Sequence, residues 1–218
     1  MTRALLLDSH PVFLSGLAAL VERELGYSVV GTATSRDDAL AAVDAHRPTL
    51  VLLDLFLGTD DGLELVRSLT VSDASVRVLV VSGHDELVYA GRAIKAGAHG
   101  YVSKSASEGE ILDAVRTVAE GQVSLSPRVR ERLVGRYLGH DEAPSSPVSM
   151  LTDRELEAFR LFGMGLATAA VAESMSVSAK TVETYRLSIK SKLGLQSNNE
   201  FIYRAVLWSL GRSAPAAV

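Results

Sequence analysis

The chain contains no cysteine, so neither a disulfide framework nor a thiolate metal site is available to it. That suits a reducing cytosol. It has no apolar run near the roughly 18 residues that a membrane span needs. Its opening stretch, MTRALLLDSHPVF, meets an acid and a histidine too soon to form the core of a secretory signal. A cytoplasmic protein without membrane contact is therefore expected. No two histidines stand at H-x-x-x-H spacing. His10 opens a helix, His84 falls in a loop and His99 precedes a turn, so a histidine metal site is not expected. There is no internal repeat, and no low-complexity block beyond the segment GHDEAPSSPVS at 139–149.

What is present reads as globular: 47% of residues are hydrophobic and 22% charged. A length of 218 residues allows one large or two small domains. The net charge of −4 is unevenly divided, at −7 for residues 1–121, +1 for 122–147 and +2 for 148–218. An acidic front and a mildly basic tail point to different partners for the two halves. The tail's charge alone is too small to establish nucleic-acid binding.

Strand-like and helix-like segments alternate through the first half. Short apolar runs at Ala4–Leu7, Val29–Thr34, Leu50–Leu53, Val76–Val81 and Gly100–Ser103 are each followed by helical spacing or a helix start signal. Ser35 is a plausible N-cap, and Ser107-x-x-Glu110 a capping box. Five such units in about 120 residues predict an α/β domain, an open parallel sheet with helices on both faces. Sites in this architecture form at the carboxyl ends of the strands. There the chain places Asp8 after LLL, Asp54 after VLL, Ser82 after VLVV and Lys104 after GYVS. A pair of carboxylates suits a hard cation such as Mg²⁺. A hydroxyl and an ammonium suit a phosphoryl group.

Residues 122–149 read as a linker in which Ser126-Pro127 starts a short helix through Leu138. From 150 onward no strand pattern returns. Thr152-x-x-Glu155 is a capping box, and three or four short helices follow. Leu156, Phe159 and Phe162 line one helix, then Val171, Ala172 and Met175 the next. MSVS makes a tight turn, with Ser178 as N-cap. In the helix beginning at Ala179, Val182, Tyr185, Ile189 and Leu193 are expected to be buried. Lys180, Glu183, Thr184, Leu187 and Ser188 are expected to face outward. An exposed helix after such a turn enters the DNA major groove. Glu183, Thr184 and Leu187 are candidates for base contact, and Lys180, Thr181, Arg186, Lys190 and Lys192 for phosphate contact.

The motifs L-D-S-H-P, V-L-L-D-L-x-L-G-x-D-D-G, V-V-S-G and A-G-A-H-G-Y-V-S-K resemble the receiver domains of NarL/FixJ response regulators over about residues 3–121. LTDRELEAFRLFGMGLATAAVAESMSVSAKTVETYRLSIKSKLGL resembles the LuxR-type helix-turn-helix over about 150–210. The resemblance implies a flavodoxin-like (βα)5 receiver at 1–121, a linker at 122–149 and a four-helix DNA-binding domain at 150–218. It implies that Asp54 accepts phosphate from a cognate sensor histidine kinase. Asp8 and the Phe56 carbonyl would help Asp54 hold Mg²⁺, Ser82 and Lys104 would engage phosphoryl oxygens, and Tyr101 is the switch aromatic. The implied partner is double-stranded DNA, bound by a homodimer formed through Phe201, Ile202, Ala205 and Trp208, and the chain is not expected to be an enzyme.

Three positions depart from the pattern. Ser9 stands where most receivers carry a second acid, which should weaken Mg²⁺ binding. Gly58 replaces a frequent proline. Phe56, large and apolar two residues past the acceptor, is expected to shield an acyl phosphate from water. Ser9 also keeps open a receiver that works without phosphate, responding to a protein or small ligand. A phosphatase-like hydrolase with Asp54 as nucleophile would need an acid at the position of Phe56. A flavodoxin-like cofactor binder would need a phosphate-cradling loop where DSHP stands.

Overall fold

The computed structural model describes residues 1–139 and 146–210, which fall into two compact units divided between Glu142 and Ala143. Residues 140–145, expected to belong to the linker, and 211–218, at the end of the expected DNA-binding domain, lie outside the described residues.

The first unit runs β1 (Arg3–Leu7), α1 (Pro11–Leu25), β2 (Ser28–Ala33), α2 (Arg36–His46), β3 (Leu50–Leu53), β4 (Phe56–Leu57), β5 (Asp60–Asp61), α3 (Gly62–Ser72), β6 (Arg77–Ser82), α4 (Glu86–Lys95), β7 (Gly100–Ser103), α5 (Glu108–Ala119) and α6 (Pro127–Tyr137). Its main sheet has the order β2-β1-β3-β6-β7, and every pairing in it is parallel. This is the expected (βα)5 architecture. β1 and β3 pair Leu7 with Leu53, which sets Asp8 beside Asp54 at the same edge. β6 and β7 pair Ser82 with Ser103 and bring Lys104 alongside.

The continuous apolar character of the central strands has a plain cause: both faces are covered. On one face Ala4, Leu6, Leu50, Leu52 and Leu79 pack with Leu14, Leu17 and Val21 of α1 and Ile111, Val115 and Val118 of α5. Leu5, Val51, Leu53, Val78 and Val80 are buried as well. The capping box expected at Ser107 and Glu110 forms. The acidic loop holds a short hairpin, β4 against β5, which its Gly- and Asp-rich sequence does not predict. Asp61 caps α3 through the Leu63 and Glu64 N–H groups, and Asp60 accepts from the Arg36 N–H at 2.9 Å. Gly62 is required there, because a Cβ would collide with the Leu55 backbone. In α6, Val129 is buried and Leu133 reaches Gly91 of α4.

The second unit has a short 3-10 helix (Pro147–Met150) and then α7 (Asp153–Gly163), α8 (Thr168–Ser174), α9 (Ala179–Leu193) and α10 (Asn198–Ser209). The Thr152–Glu155 capping box opens α7, and Ser178 caps α9. The core is aromatic. Phe201 meets Phe159 and Phe162 edge-on at 5.5 and 5.2 Å between ring centroids. At Gly163 a Cβ would collide with the Ala205 carbonyl, so glycine sets how closely α7 and α10 approach. The turn between α8 and α9 carries Ser176 at φ 53°, a left-handed position that any residue but glycine occupies at a cost.

Candidate functional site

Four strand ends deliver four polar side chains to one rim of the parallel sheet, as their positions after apolar runs implied. Asp8, Asp54 and Ser82 are buried, at 2%, 4% and 0% exposure. The Lys104 ammonium donates to Asp54 Oδ2 at 2.7 Å and lies 2.5 Å from Asp8 Oδ2. It thus pairs with both carboxylates at once and offsets one of their two charges. Backbone bonds fix the frame: the Asp54 N–H donates to the Leu7 carbonyl at 2.8 Å, and the Lys104 N–H to the Ser82 carbonyl at 2.9 Å. Asp8 Oδ1 accepts from the His10 N–H at 2.9 Å and lies 3.0 Å from His10 Nδ1.

Burial pushes the Asp54 carboxyl above the usual carboxylate range; Lys104 pulls it back down, the Asp8 charge adds to the rise, and the nearby Ser82 hydroxyl lowers it slightly without completing a well-formed bond. Asp54 Oδ1 and Ser82 Oγ are buried with no hydrogen-bond partner. A buried acceptor without a donor is costly unless a ligand completes it. The oxygen donors fit a hard dication: the two carboxylates and the Phe56 carbonyl are all oxygen ligands. Ser9, the departure from the usual acid, donates its hydroxyl to that carbonyl at 3.1 Å. It therefore brings no anionic oxygen to the pocket.

Phe56 belongs to an aromatic group that the sequence reading did not assemble. Its ring lies against His84, tilted by 40° with 3.7 Å between centroids, and meets Tyr89 edge-on at 5.3 Å. The Tyr101 hydroxyl donates to the His84 carbonyl at 2.9 Å, and Tyr101 is buried. Burial raises its phenol far above the ordinary value. The residues two places beyond Asp54 and two beyond Ser82 are thus in ring contact, and Tyr101 is bonded to the second of them.

In the second unit α9 follows the α8 turn and shows one polar face. Lys180, Glu183, Thr184 and Leu187 are exposed, while Val182 and Ile189 are buried; Thr181, Tyr185, Ser188, Lys190 and Leu193 are half-buried. Several expected DNA contacts also have partners within the unit, Glu183, Arg186, Ser188, Lys190 and Lys192 among them. The Arg186 guanidinium lies over the Phe162 ring at 4.6 Å, pairs with Glu183 at 3.2 Å and donates to Thr168. Lys192 Nζ lies 2.6 Å from Glu155 Oε2, and Ser188 donates to Glu155 Oε1 at 2.5 Å. Burial pushes the Glu155 carboxyl up, but the bonds from Lys192, Ser188 and Thr152 outweigh it and bring the group to about 2.

The expected dimer residues divide the same way. Phe201 and Ala205 are fully buried in their own unit, so they are corrected from interface to core. Ile202 is exposed and Trp208 half-buried, and Tyr203 and Leu210 add exposed apolar surface that the sequence reading omitted.

Residues 4–116 match the response regulator receiver domain family, and residues 149–205 match the bacterial regulatory proteins of the luxR family. Among curated relatives, the transcriptional activator protein ExaE of Pseudomonas putida is 34% identical over 96% of this chain and 98% of its own length. The oxygen regulatory protein NreC of Staphylococcus epidermidis is 31% identical over 91% and 94%. Among solved structures, RcsB of Salmonella enterica, bound to a promoter in the presence of a phosphomimetic, superposes with a TM-score of 0.75 at 19% identity. That match covers 94% of this chain and 99% of RcsB, and shows likeness of fold. A LuxR-family response regulator from Aurantimonas gives a TM-score of 0.59 at 30% identity, covering 63% of this chain and 99% of its own.

Proposed function

Because the chain belongs to the two-component response regulators that pair a receiver with a LuxR-type DNA-binding domain, we propose that phosphorylation of Asp54 controls how it binds DNA. The chain is a transcriptional regulator; what is proposed is the chemistry and the residues. The observation that carries the reading is the polar constellation at the sheet edge: Asp54 Oδ1 and Ser82 Oγ are buried and unpartnered beside an ammonium.

The Asp54 carboxylate attacks the phosphorus of a phosphohistidine on a sensor kinase. A P–O bond forms as the P–N bond breaks, and the imidazole leaves with the electron pair. Asp8, Asp54 and the Phe56 carbonyl would hold Mg²⁺, which when bound offsets the negative charge of the transferring group. Lys104 exchanges one carboxylate partner for a phosphoryl oxygen, and the Ser82 hydroxyl donates to another. The change at Ser82 reaches Tyr101 through the His84 loop and so alters the receiver surface. Phosphorylated chains pair as a homodimer on double-stranded DNA in the cytoplasm. Lys180, Thr181 and Lys190 meet phosphates, and Thr184 and Leu187 meet bases. Among the described residues no helix is long and apolar enough to cross a membrane.

The test is labelling by acetyl phosphate with and without Mg²⁺, followed by footprinting on genomic DNA, for wild type and Asp54→Ala. Label on wild type alone, with a footprint that strengthens on labelling, is the expected result. One observation favours a second reading, regulation without phosphate: Ser9 supplies a hydroxyl bonded to Phe56 where a carboxylate would strengthen the metal site. An identical footprint for both proteins, with no label, would establish that reading instead.

A further inference from the structure

The sheet-edge pocket holds one more ligating group than a carboxylate site for Mg²⁺ uses. One ligand atom from each of Asp8, His10 and Asp54 can be chosen so that all lie within 4.8 Å of one another. Lys104 engages Oδ2 of both acids. That leaves Asp8 Oδ1, which faces the His10 ring at 3.0 Å, and Asp54 Oδ1, which is buried without a partner. Ser82 Oγ, fully buried, is unpartnered beside them. Ser9 has turned its hydroxyl onto the Phe56 carbonyl, so no third carboxylate competes for this position. The His10 side chain makes no helix-capping bond and its ring is 72% exposed; its Nδ1 is bonded to Asp8 Oδ1 at 3.0 Å and lies 3.3 Å from the Ser9 hydroxyl, contacts that a bound ion would replace.

We propose that His10 is a third protein ligand to the dication at this site, so that the chain holds a first-row transition-metal ion such as Mn²⁺ or Co²⁺ in preference to Mg²⁺. The ligand chemistry decides the preference. Mg²⁺ is hard, demands oxygen and keeps its waters, so an imidazole adds little to its affinity. Mn²⁺ and Co²⁺ accept carboxylate and imidazole together, and Co²⁺ the imidazole more strongly. Two carboxylates and one imidazole form a mixed set in which nitrogen, not the number of negative charges, discriminates between ions. This inference rests on the pocket's being a dication site, but not on phosphate.

The test measures metal directly on the full chain, with no phosphodonor present. Calorimetric titration with Mg²⁺, Mn²⁺ and Co²⁺ is carried out on wild type, His10→Gln and Asp54→Asn, with melting curves confirming that each variant is folded. Pulsed electron spin resonance of the Mn²⁺-loaded protein reads nitrogen coupling from a bound imidazole. The expected result is that wild type shows that coupling and binds Co²⁺ more tightly than Mg²⁺. His10→Gln loses the coupling and weakens Co²⁺ at least tenfold while Mg²⁺ stays within twofold, and Asp54→Asn weakens every ion. Unchanged Co²⁺ affinity in His10→Gln, or coupling that survives it, overturns the proposal. If His10→Gln behaves as expected while acetyl phosphate never labels Asp54, the metal assignment stands and the phosphorylation reading alone fails. If neither variant alters any titration, the ion binds elsewhere and the proposal is overturned.

Discussion

At Asp54 the fold maintains a charge that its surroundings oppose. Burial and Asp8 raise the carboxyl above its ordinary value, and Lys104 only partly compensates. A carboxyl whose folded value exceeds its unfolded one favours folding below the unfolded value and loses that benefit as pH rises through the folded one. Wherever the side chain is ionised, it is therefore a burden on stability. Asp54→Asn should melt higher than wild type at pH 7, and the difference should shrink as the buffer is taken into the acid range; equal or lower melting at pH 7 would contradict this. Phe56 makes a second expectation at the same scale. Its ring contacts with His84 and Tyr89 form an apolar wall two residues from the acceptor. Phe56→Asn should speed loss of an acyl phosphate about tenfold, a lowering of the barrier by ~1.4 kcal/mol, followed as decay of radiolabel. An unchanged decay rate would remove the shielding role.

Among the elements, α9 carries the clearest divided use. Glu155 at the start of α7 accepts from its own cap and also holds Ser188 and Lys192 of α9. Its folded value of about 2 lies below the ordinary carboxylate value. The stability it contributes is full above the unfolded value, near 4.5, and is lost as pH falls toward 2. Lys192 is 34% exposed and screened by water, so Glu155→Gln should cost about 1–2 kcal/mol at neutral pH and progressively less as pH falls through the folded value, read from chemical denaturation at neutral and acid pH. The same contacts separate two lysines that look alike in sequence. Lys180→Ala should weaken DNA binding evenly across sequences and lower the salt slope by about 1. Lys192→Ala should lower the melting temperature and leave that slope unchanged. The capping boxes and the α9 register were legible because they are local patterns of three or four residues. The Glu155–Lys192 pair was not, because 37 residues separate its members and nothing in either neighbourhood marks the other.

For the whole molecule, charge separates along the chain, with −7 over residues 1–121 and +2 over 148–218. The parallel sheet and the convergence of Asp8, Asp54, Ser82 and Lys104 were readable because strand ends in such a sheet share one rim. What escaped the sequence was contact across turns and between helices: the His84–Phe56 ring contact, the burial of Phe201 and Ala205, and the placing of Arg186 over Phe162. Helical spacing marks an apolar face without saying whether its own unit or a second copy covers it. Ile202, Tyr203 and Leu210 are exposed apolar residues at the end of the second unit, and the proposed dimer would use them. Acetyl phosphate should shift wild type from monomer to dimer in analytical ultracentrifugation and leave Asp54→Asn a monomer. A wild type that stays monomeric when fully labelled would show that assembly requires DNA itself.

The fastening of α9 by Glu155 on one side and by Arg186 against Phe162 on the other has a thermodynamic consequence. The exposed surface of α9 has its shape before any duplex arrives, so if it is the surface that meets DNA, as proposed, association has no disordered segment to organise. Its heat-capacity change should then follow from the area buried between protein and duplex alone, without the added increment that accompanies coupled folding.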